Sequence, residues 1–500
     1  MTPRALAAAI AAACALAGCG GGGGGGGGGT AAVPPAAASA DAQAAVTFAN
    51  VSVHDPAVIK VGDTWYAFGS HLAAAKTTDL MNWTKIADGV TDANPLFAKV
   101  TAALADTFAW AQVTDLWAPD VIQLDDGKFY MYYDACKGDS PRSALGVAVA
   151  DKVDGPYVNK QLFLKSGMWG EASPDGTVYD ALKHPNAVDP NVFRDANGKL
   201  WMIYGSYSGG IFVMAMDPAT GLPVAGQGYG KHLMGGNHAR IEGAYVMYSP
   251  ATKYYYLFTS FGGLDSTGGY NMRVARSTNP DGPYLDASGK DMADVKSDPT
   301  KPLFDDASIA PFGQKLVGSH QFALAGGESG TPVGYVSPGH NSARYEAATN
   351  QYFLIFHTRF PGQGEYHEVR VHEMFINEDG WPVAAPLRYV PLSKSATTIS
   401  ATVTGAEAAG AYKMVNHGKD ISATVKQSVA IRLDSGGAVS GGASGTWTHK
   451  GNNNVAIVID GVTYSGVLSR QWNPNANAFA VTFTAQSKDG VSLWGIRTGS

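Results

Sequence analysis

One pattern recurs along this chain: an acidic residue, a short apolar run, a polar turn and then an aromatic strand. The first copy leads from His54-Asp55-Pro56-Ala57-Val58-Ile59 to Thr64-Trp65-Tyr66-Ala67-Phe68. The second leads from Ala187-Val188-Asp189-Pro190-Asn191-Val192-Phe193 to Leu200-Trp201-Met202-Ile203-Tyr204, and the third from Ile241-Glu242-Gly243-Ala244-Tyr245-Val246 to Tyr254-Tyr255-Tyr256-Leu257-Phe258. Equivalent acids in separate repeats can converge on one axis, and convergent carboxylates are what acid/base cleavage of a glycosidic bond requires.

Two more units share the strand pattern. Trp117-Ala118-Pro119-Asp120-Val121-Ile122 precedes Lys128-Phe129-Tyr130-Met131-Tyr132-Tyr133, and Pro338-Gly339-His340-Asn341-Ser342 precedes Gln351-Tyr352-Phe353-Leu354-Ile355-Phe356. Asp126-Gly127 and Asn197-Gly198 separate strands as hairpin turns do. Serial units of short strands are the signature of a propeller. The fold expected is all-β: a five-bladed β-propeller over residues 46–392, then a small C-terminal β-barrel or sandwich over residues 393–500. Glycine turns there separate Val429–Leu433, Asn454–Ile459, Tyr464–Leu468 and Ala480–Thr484, with no carboxylate cluster or metal-ligand spacing, so an accessory role is expected.

Residues 1–18 read as a lipoprotein signal peptide. Arg4 is its positive charge, and the apolar stretch Leu6 to Ala17 is too short for a permanent span. Leu16-Ala17-Gly18-Cys19 resembles a bacterial lipobox, in which cleavage leaves Cys19 lipidated; an ordinary secretory signal is the alternative. Residues 19–45 then form a Gly/Ala/Pro linker, with glycine from Gly20 to Gly29, a composition that stays a flexible spacer. The expectation is a protein held only by its N-terminal lipid at a bacterial membrane, facing the periplasm or the cell surface. Glycine rather than aspartate after Cys19 points to the outer membrane.

With Cys14 and Cys19 so used, Cys136 is alone, no intrachain disulfide can form, and an inert, partly buried thiol is expected. The net charge of −6 is mild and the basic residues are dispersed, which argues against a nucleic-acid partner. A monomer is expected.

These motifs, taken in order, resemble the arabinanases of glycoside hydrolase family 43. The resemblance runs from about Val51 to Tyr389 and adds Ser337-Pro338-Gly339-His340-Asn341-Ser342 and Val369-Arg370-Val371-His372-Glu373-Met374-Phe375 to the acid-bearing segments. The last section is similar to the barrel appended to some extracellular endo-arabinanases, with Asp460-Gly461, Trp472 and Leu493-Trp494-Gly495 as landmarks. The chain departs from the family pattern at Ala244, where proline is common, and at Ser337, where glycine is usual.

The resemblance implies an inverting, endo-acting hydrolysis of α-1,5-L-arabinofuranosidic bonds in arabinan, a pectic polysaccharide. Asp55 would be the general base, Glu242 the general acid, and Asp189 the residue that tunes and orients Glu242. It implies sugar contacts at Asp55, Gly146, Asn186, Ala187, Val188, Asp189, Ser206, Tyr207 and Ser208, and one calcium ion in the channel at His340. A single histidine is an odd ligand for a cation that prefers oxygen. His357 and His372 lie in strands and read as packed or hydrogen-bonded; Asp120, Asp125 and Asp195 read as structural. The alternatives are an exo-acting α-L-arabinofuranosidase or β-xylosidase of the same family, and a non-catalytic glycan-binding propeller.

Overall fold

A computed structural model describes residues 46–499; the expected signal peptide, Cys19 and the whole of the spacer lie outside the described residues. Five antiparallel sheets follow one another along the chain. The innermost strand of each is, in order, Ala57–Val61, Trp117–Gln123, Asn191–Arg194, Ile241–Ser249 and Gly334–Glu346. Each of these touches the innermost strands of the sheets before and after it, and the first touches the last, so the blades close into a ring.

The aromatic strands come second in each blade, at Thr64–Gly69, Phe129–Cys136, Leu200–Tyr204, Tyr254–Phe261 and Gln351–Arg359. Their rings fill the space between blades. Tyr132, Tyr204, Met202 and Met214 pack the second blade on the third, for example, and all four are buried. Burying such a side chain contributes roughly 1.5–3 kcal/mol relative to leaving it in water. The ring closes where Val51, Val53, Val58 and Trp65 meet Phe353, Ile355 and Val369, and the N–H of Val369 donates to the Val51 carbonyl at 2.9 Å.

The C-terminal section is a closed eight-stranded barrel, sealed by pairing of Gly410–Asn416 with Ser492–Thr498. Its interior is filled by Tyr412, Ile431, Val455, Leu468 and Phe483. Gly495 makes room for one of them: a Cβ there would lie 2.1 Å from the Phe483 ring.

The sequence suggested a separate accessory unit, but the barrel is built into the propeller. Lys426–Gln427 adds a parallel strand to His320–Gln321 of the fifth sheet. The buried Lys315 ammonium donates to the carbonyls of His417 (2.9 Å) and Asp420 (2.7 Å), and the buried Arg273 guanidinium donates to the Lys419 carbonyl at 2.7 Å. Trp494 of the barrel lies in one apolar cluster with Phe356, Trp381 and Leu387 of the fifth blade.

Candidate active site

The site forms where the inner strands begin. Aligning Val58, Val121, Val192, Val246 and Ala343 places Asp55, Ala118, Asp189, Gly243 and His340 at one position, three residues earlier. Four of these are left-handed: Asp55 at φ 54°, Asp189 at 55°, Gly243 at 60° and His340 at 45°. Left-handed backbone is costly for residues with a Cβ and persists only where the surroundings enforce it. At Gly243 no Cβ would fit in any case, since it would lie 3.0 Å from Cγ of His340. Asp120 does not occupy the acid's place in its blade, as the repeat suggested; Ala118 does. Asp120 is buried two residues on, where Oδ2 accepts from the Val192 N–H (2.7 Å) and Asn191 Nδ2 (3.0 Å), a structural task. All five blades line a small axial cavity of about 20 Å³.

Asp55 is gripped from several sides. Oδ2 lies 2.7 Å from Nδ1 of His54 and accepts the Ser70 hydroxyl. Oδ1 lies 3.0 Å from Nδ1 of His340. The Asp55 N–H donates to Nδ1 of His357 at 3.1 Å, and the His357 ring stacks on His54 with centroids 3.9 Å apart. Burial alone would raise the pKa of Asp55, but the charges of His340 and His54 and their hydrogen bonds prevail and hold it well below the usual carboxylate range. Asp55 is therefore built to stay ionised.

Glu242 is built the other way. Burial raises its pKa, and the Asp55 charge adds to this; His340 and hydrogen bonds from Ser206 and Tyr270 offset only part. The Ser206 hydroxyl donates to Oε2 at 2.8 Å and the Tyr270 hydroxyl to Oε1 at 2.9 Å, which orients the carboxyl. Asp189 links to the same segment, with Oδ2 accepting the Gly243 N–H at 3.2 Å. Burial pushes the Asp189 pKa up to about 7, the carboxylates of Glu242 and Asp55 push the same way, and His340 opposes them. One acid pushed toward its ionised form beside another pushed toward its protonated form is the division that general acid/base chemistry needs.

Burial would lower the His340 pKa, yet Asp55, Asp189 and Glu242 raise it to about 10. Its Nδ1 faces Asp55; Nε2 carries a proton in the imidazolium, and a metal ion there would have to displace that proton. Next to it, both side-chain polar atoms of Asn341 are buried without a partner. An imidazole nitrogen, an orphaned amide oxygen and three nearby carboxylates fit a hydrated cation on the axis. His54, Asp55 and His357 also lie close enough for metal ligation, although Nδ1 of both histidines already serves Asp55.

The expected sugar contacts divide. Ser206 reaches the site, where it holds Glu242. Tyr207 and Ser208 follow in left-handed conformations, φ 49° and 35°, and the Tyr207 N–H is bound to the Ile241 carbonyl. Asn186 instead accepts the Ser143 hydroxyl at 2.5 Å and ties two strands of the second blade. The Ala187 N–H donates to Ser166 Oγ, and the Val188 carbonyl accepts from Gly205. Gly146 lies in the strand Ser143–Ala150, where a Cβ would meet the Tyr133 hydroxyl at 2.5 Å; its close approach is to that ring. Cys136 is buried, and burial raises its thiol pKa, consistent with an inert group. His372 is hydrogen-bonded between Tyr335 and the Ala385 carbonyl, as expected of a packed histidine. Asp125 pairs with Arg194 at the surface, and Asp195 accepts from Trp201 Nε1 across a turn.

His54, Ser70, Tyr270 and Asp134 are not singled out by the sequence; His357, read as packed or hydrogen-bonded, accepts the Asp55 N–H. Asp134 carried a visible signal, an acid closing an otherwise apolar aromatic strand. The others come from ends of strands with no shared spacing.

A family model described as glycosyl hydrolases family 43 matches residues 47–307, and one described as a C-terminal lipocalin-like domain matches residues 386–495. The chain is 56% identical to "Extracellular endo-alpha-(1->5)-L-arabinanase 2" of Bacillus subtilis, over 90% of this chain and 93% of the relative. It is 48% identical to "Extracellular endo-alpha-(1->5)-L-arabinanase" of Thermotoga petrophila, over 90% of this chain and 94% of the relative. A crystal structure of the endo-1,5-alpha-L-arabinanase from Thermotoga petrophila superposes with a TM-score of 0.85, covering 91% of this chain and all of that one. That of the family 43 YxiA protein from Bacillus licheniformis gives 0.86 at 56% identity, with 91% and 100% covered.

Proposed function

The chain belongs to glycosyl hydrolase family 43, and on that premise we propose that it is an endo-acting α-1,5-L-arabinanase that cleaves arabinan with inversion. The observation that carries the assignment of roles is the opposed treatment of two buried acids: the Asp55 pKa is held well below the usual carboxylate range and that of Glu242 is raised. Ionised Asp55 takes a proton from a water as that water's oxygen bonds to the anomeric carbon, on the face opposite the leaving group. Glu242 gives its proton to the departing 5-oxygen of the next arabinose. The water oxygen ends on the anomeric carbon with inverted configuration, and Asp55 and Glu242 exchange protons with solvent before the next turnover. Asp189 keeps the proton on Glu242 by like-charge repulsion and holds the Glu242–Gly243 peptide through its hydrogen bond to Gly243.

His340 would hold one calcium ion in the channel, with Asn341 beside it and water completing its shell. When bound, the ion would supply positive charge next to Asp55, favouring its ionised form. Asn341, whose buried side-chain atoms lack partners, supports this reading.

The enzyme works outside the cell. The lipobox-like Leu16-Ala17-Gly18-Cys19 and the glycine run behind it support attachment to a membrane through lipid on Cys19. Among the described residues no helix is long and apolar enough to cross a membrane. Digestion of linear arabinan tests the function. An endo-acting enzyme lowers viscosity early and releases a ladder of oligosaccharides; early release of one short product with little viscosity loss would mark an exo-acting enzyme.

A further inference from the structure

Asp134 is an acid of this site that the reaction as written does not use. It closes the strand Phe129–Cys136 and is fully buried. Oδ2 accepts the backbone N–H of Asp189 at 3.2 Å, while Oδ1 has no partner among the described residues. The ring of His340 faces Asp55 instead. A carboxylate buried without a cation or a full set of donors is costly, and here a second carboxyl, that of Asp189, lies close by. Such surroundings favour the uncharged acid. An uncharged carboxyl can accept the Asp189 N–H on one oxygen and keep its proton on the other.

Asp189 needs such a partner. Its backbone is left-handed, at φ 55°, and its Oδ2 accepts the N–H of Gly243, the residue after Glu242. Two hydrogen bonds thus run from Asp134 through Asp189 to the peptide that carries Glu242. We propose that Asp134 is a positioning residue of the active site: as an uncharged acid it clamps the backbone of Asp189 and, through Asp189, fixes the segment bearing Glu242. This rests on the roles given above to Asp189 and Glu242. Asp134 itself touches no reacting atom.

The test compares Asp134→Asn, Asp134→Leu and Asp134→Ala by kcat and KM on linear arabinan, with melting curves for each. Asparagine is uncharged and keeps an oxygen for the Asp189 N–H, so its kcat stays within about threefold of wild type, whereas loss of the acceptor in the leucine and alanine variants lowers kcat about 10- to 100-fold. KM changes little in all three, and in the leucine and alanine variants the alkaline limb of kcat/KM moves with the displaced Asp189 and Glu242. A merely structural role would lower the melting temperature and leave the kcat of the folded protein and its pH limb in place. Where leucine's bulk prevents folding, alanine carries the comparison. An asparagine variant as impaired as alanine would overturn the proposal, because charge would then be what matters; so would an alanine variant with wild-type kcat and pH profile. Wild-type turnover on linear arabinan tests the assigned reaction separately.

Discussion

His340 and Asp55 sit at the same place in neighbouring blades, both left-handed, with Nδ1 of the histidine 3.0 Å from Oδ1 of the acid. The ring closure that brings the fifth blade against the first thus also sets the charge on the proposed base. Fold and protonation state are linked through one contact.

Glu242→Gln should keep the fold and lose activity on arabinan by about 100-fold or more, since an amide cannot donate the leaving-group proton. The same variant should lose far less on an aryl arabinofuranoside, whose leaving group needs little protonation. Equal losses on both substrates would remove Glu242 from the acid's role.

Asp189→Asn should move the alkaline limb of kcat/KM to lower pH. Glu242 must be protonated, and the Glu242 charge is among the causes that push the Asp189 carboxyl up to about 7, a like-charge coupling that acts on both acids. Without that like charge the Glu242 pKa falls, and activity is lost earlier as pH rises. A limb at its wild-type position would show that Asp189 does not tune Glu242.

The acids were legible because Asp55 and Asp189 open apolar runs at the repeated place and Glu242 lies one residue before it, and the blades because their aromatic strands share one turn pattern. The surroundings of Asp55 were not. Ser70 follows the strand paired with the one Asp55 opens and comes to it by hairpin register, whereas His357 lies within a strand of the fifth blade that only the closed ring brings to residue 55. Asp120 was legible as structural, and the proline alignment shows why: Ala118, two residues earlier, holds the acid's place in its blade. The barrel's attachment was hidden for a different reason. Lys315 and Arg273 act on backbone carbonyls, which leave no trace in the sequence of the segment they hold.

His340→Ala should lower both activity and melting temperature, and chelation of the wild type should produce the same melting shift. An ion at a hundredfold excess over its dissociation constant stabilises the folded state by about 2.7 kcal/mol. Elemental analysis of purified protein should find calcium in the wild type and little in the variant. Superimposable melting curves with and without chelator, and no bound metal, would leave His340 as a hydrogen-bond partner of Asp55 alone.

Trp494→Ala should destabilise the whole protein by about 3–5 kcal/mol, as a large-to-small change at a buried aromatic does. The indole is 1% exposed and packs on His372 of the fifth blade and His417 of the barrel. The propeller and barrel should melt in one transition that moves as a unit. Two transitions, with only the barrel's moving, would mean that the barrel is an independent module.

The most direct test of the assigned chemistry is NMR of the first anomer released from a linear α-1,5-arabino-oligosaccharide, recorded before mutarotation, for the wild type and for Asp55→Asn. With Asp55 activating water and Glu242 protonating the leaving oxygen, the wild type should release the β-anomer first. The asparagine variant should release essentially none, and added azide should not yield a product with retained configuration. An α-anomer as the initial wild-type product would contradict the inverting account.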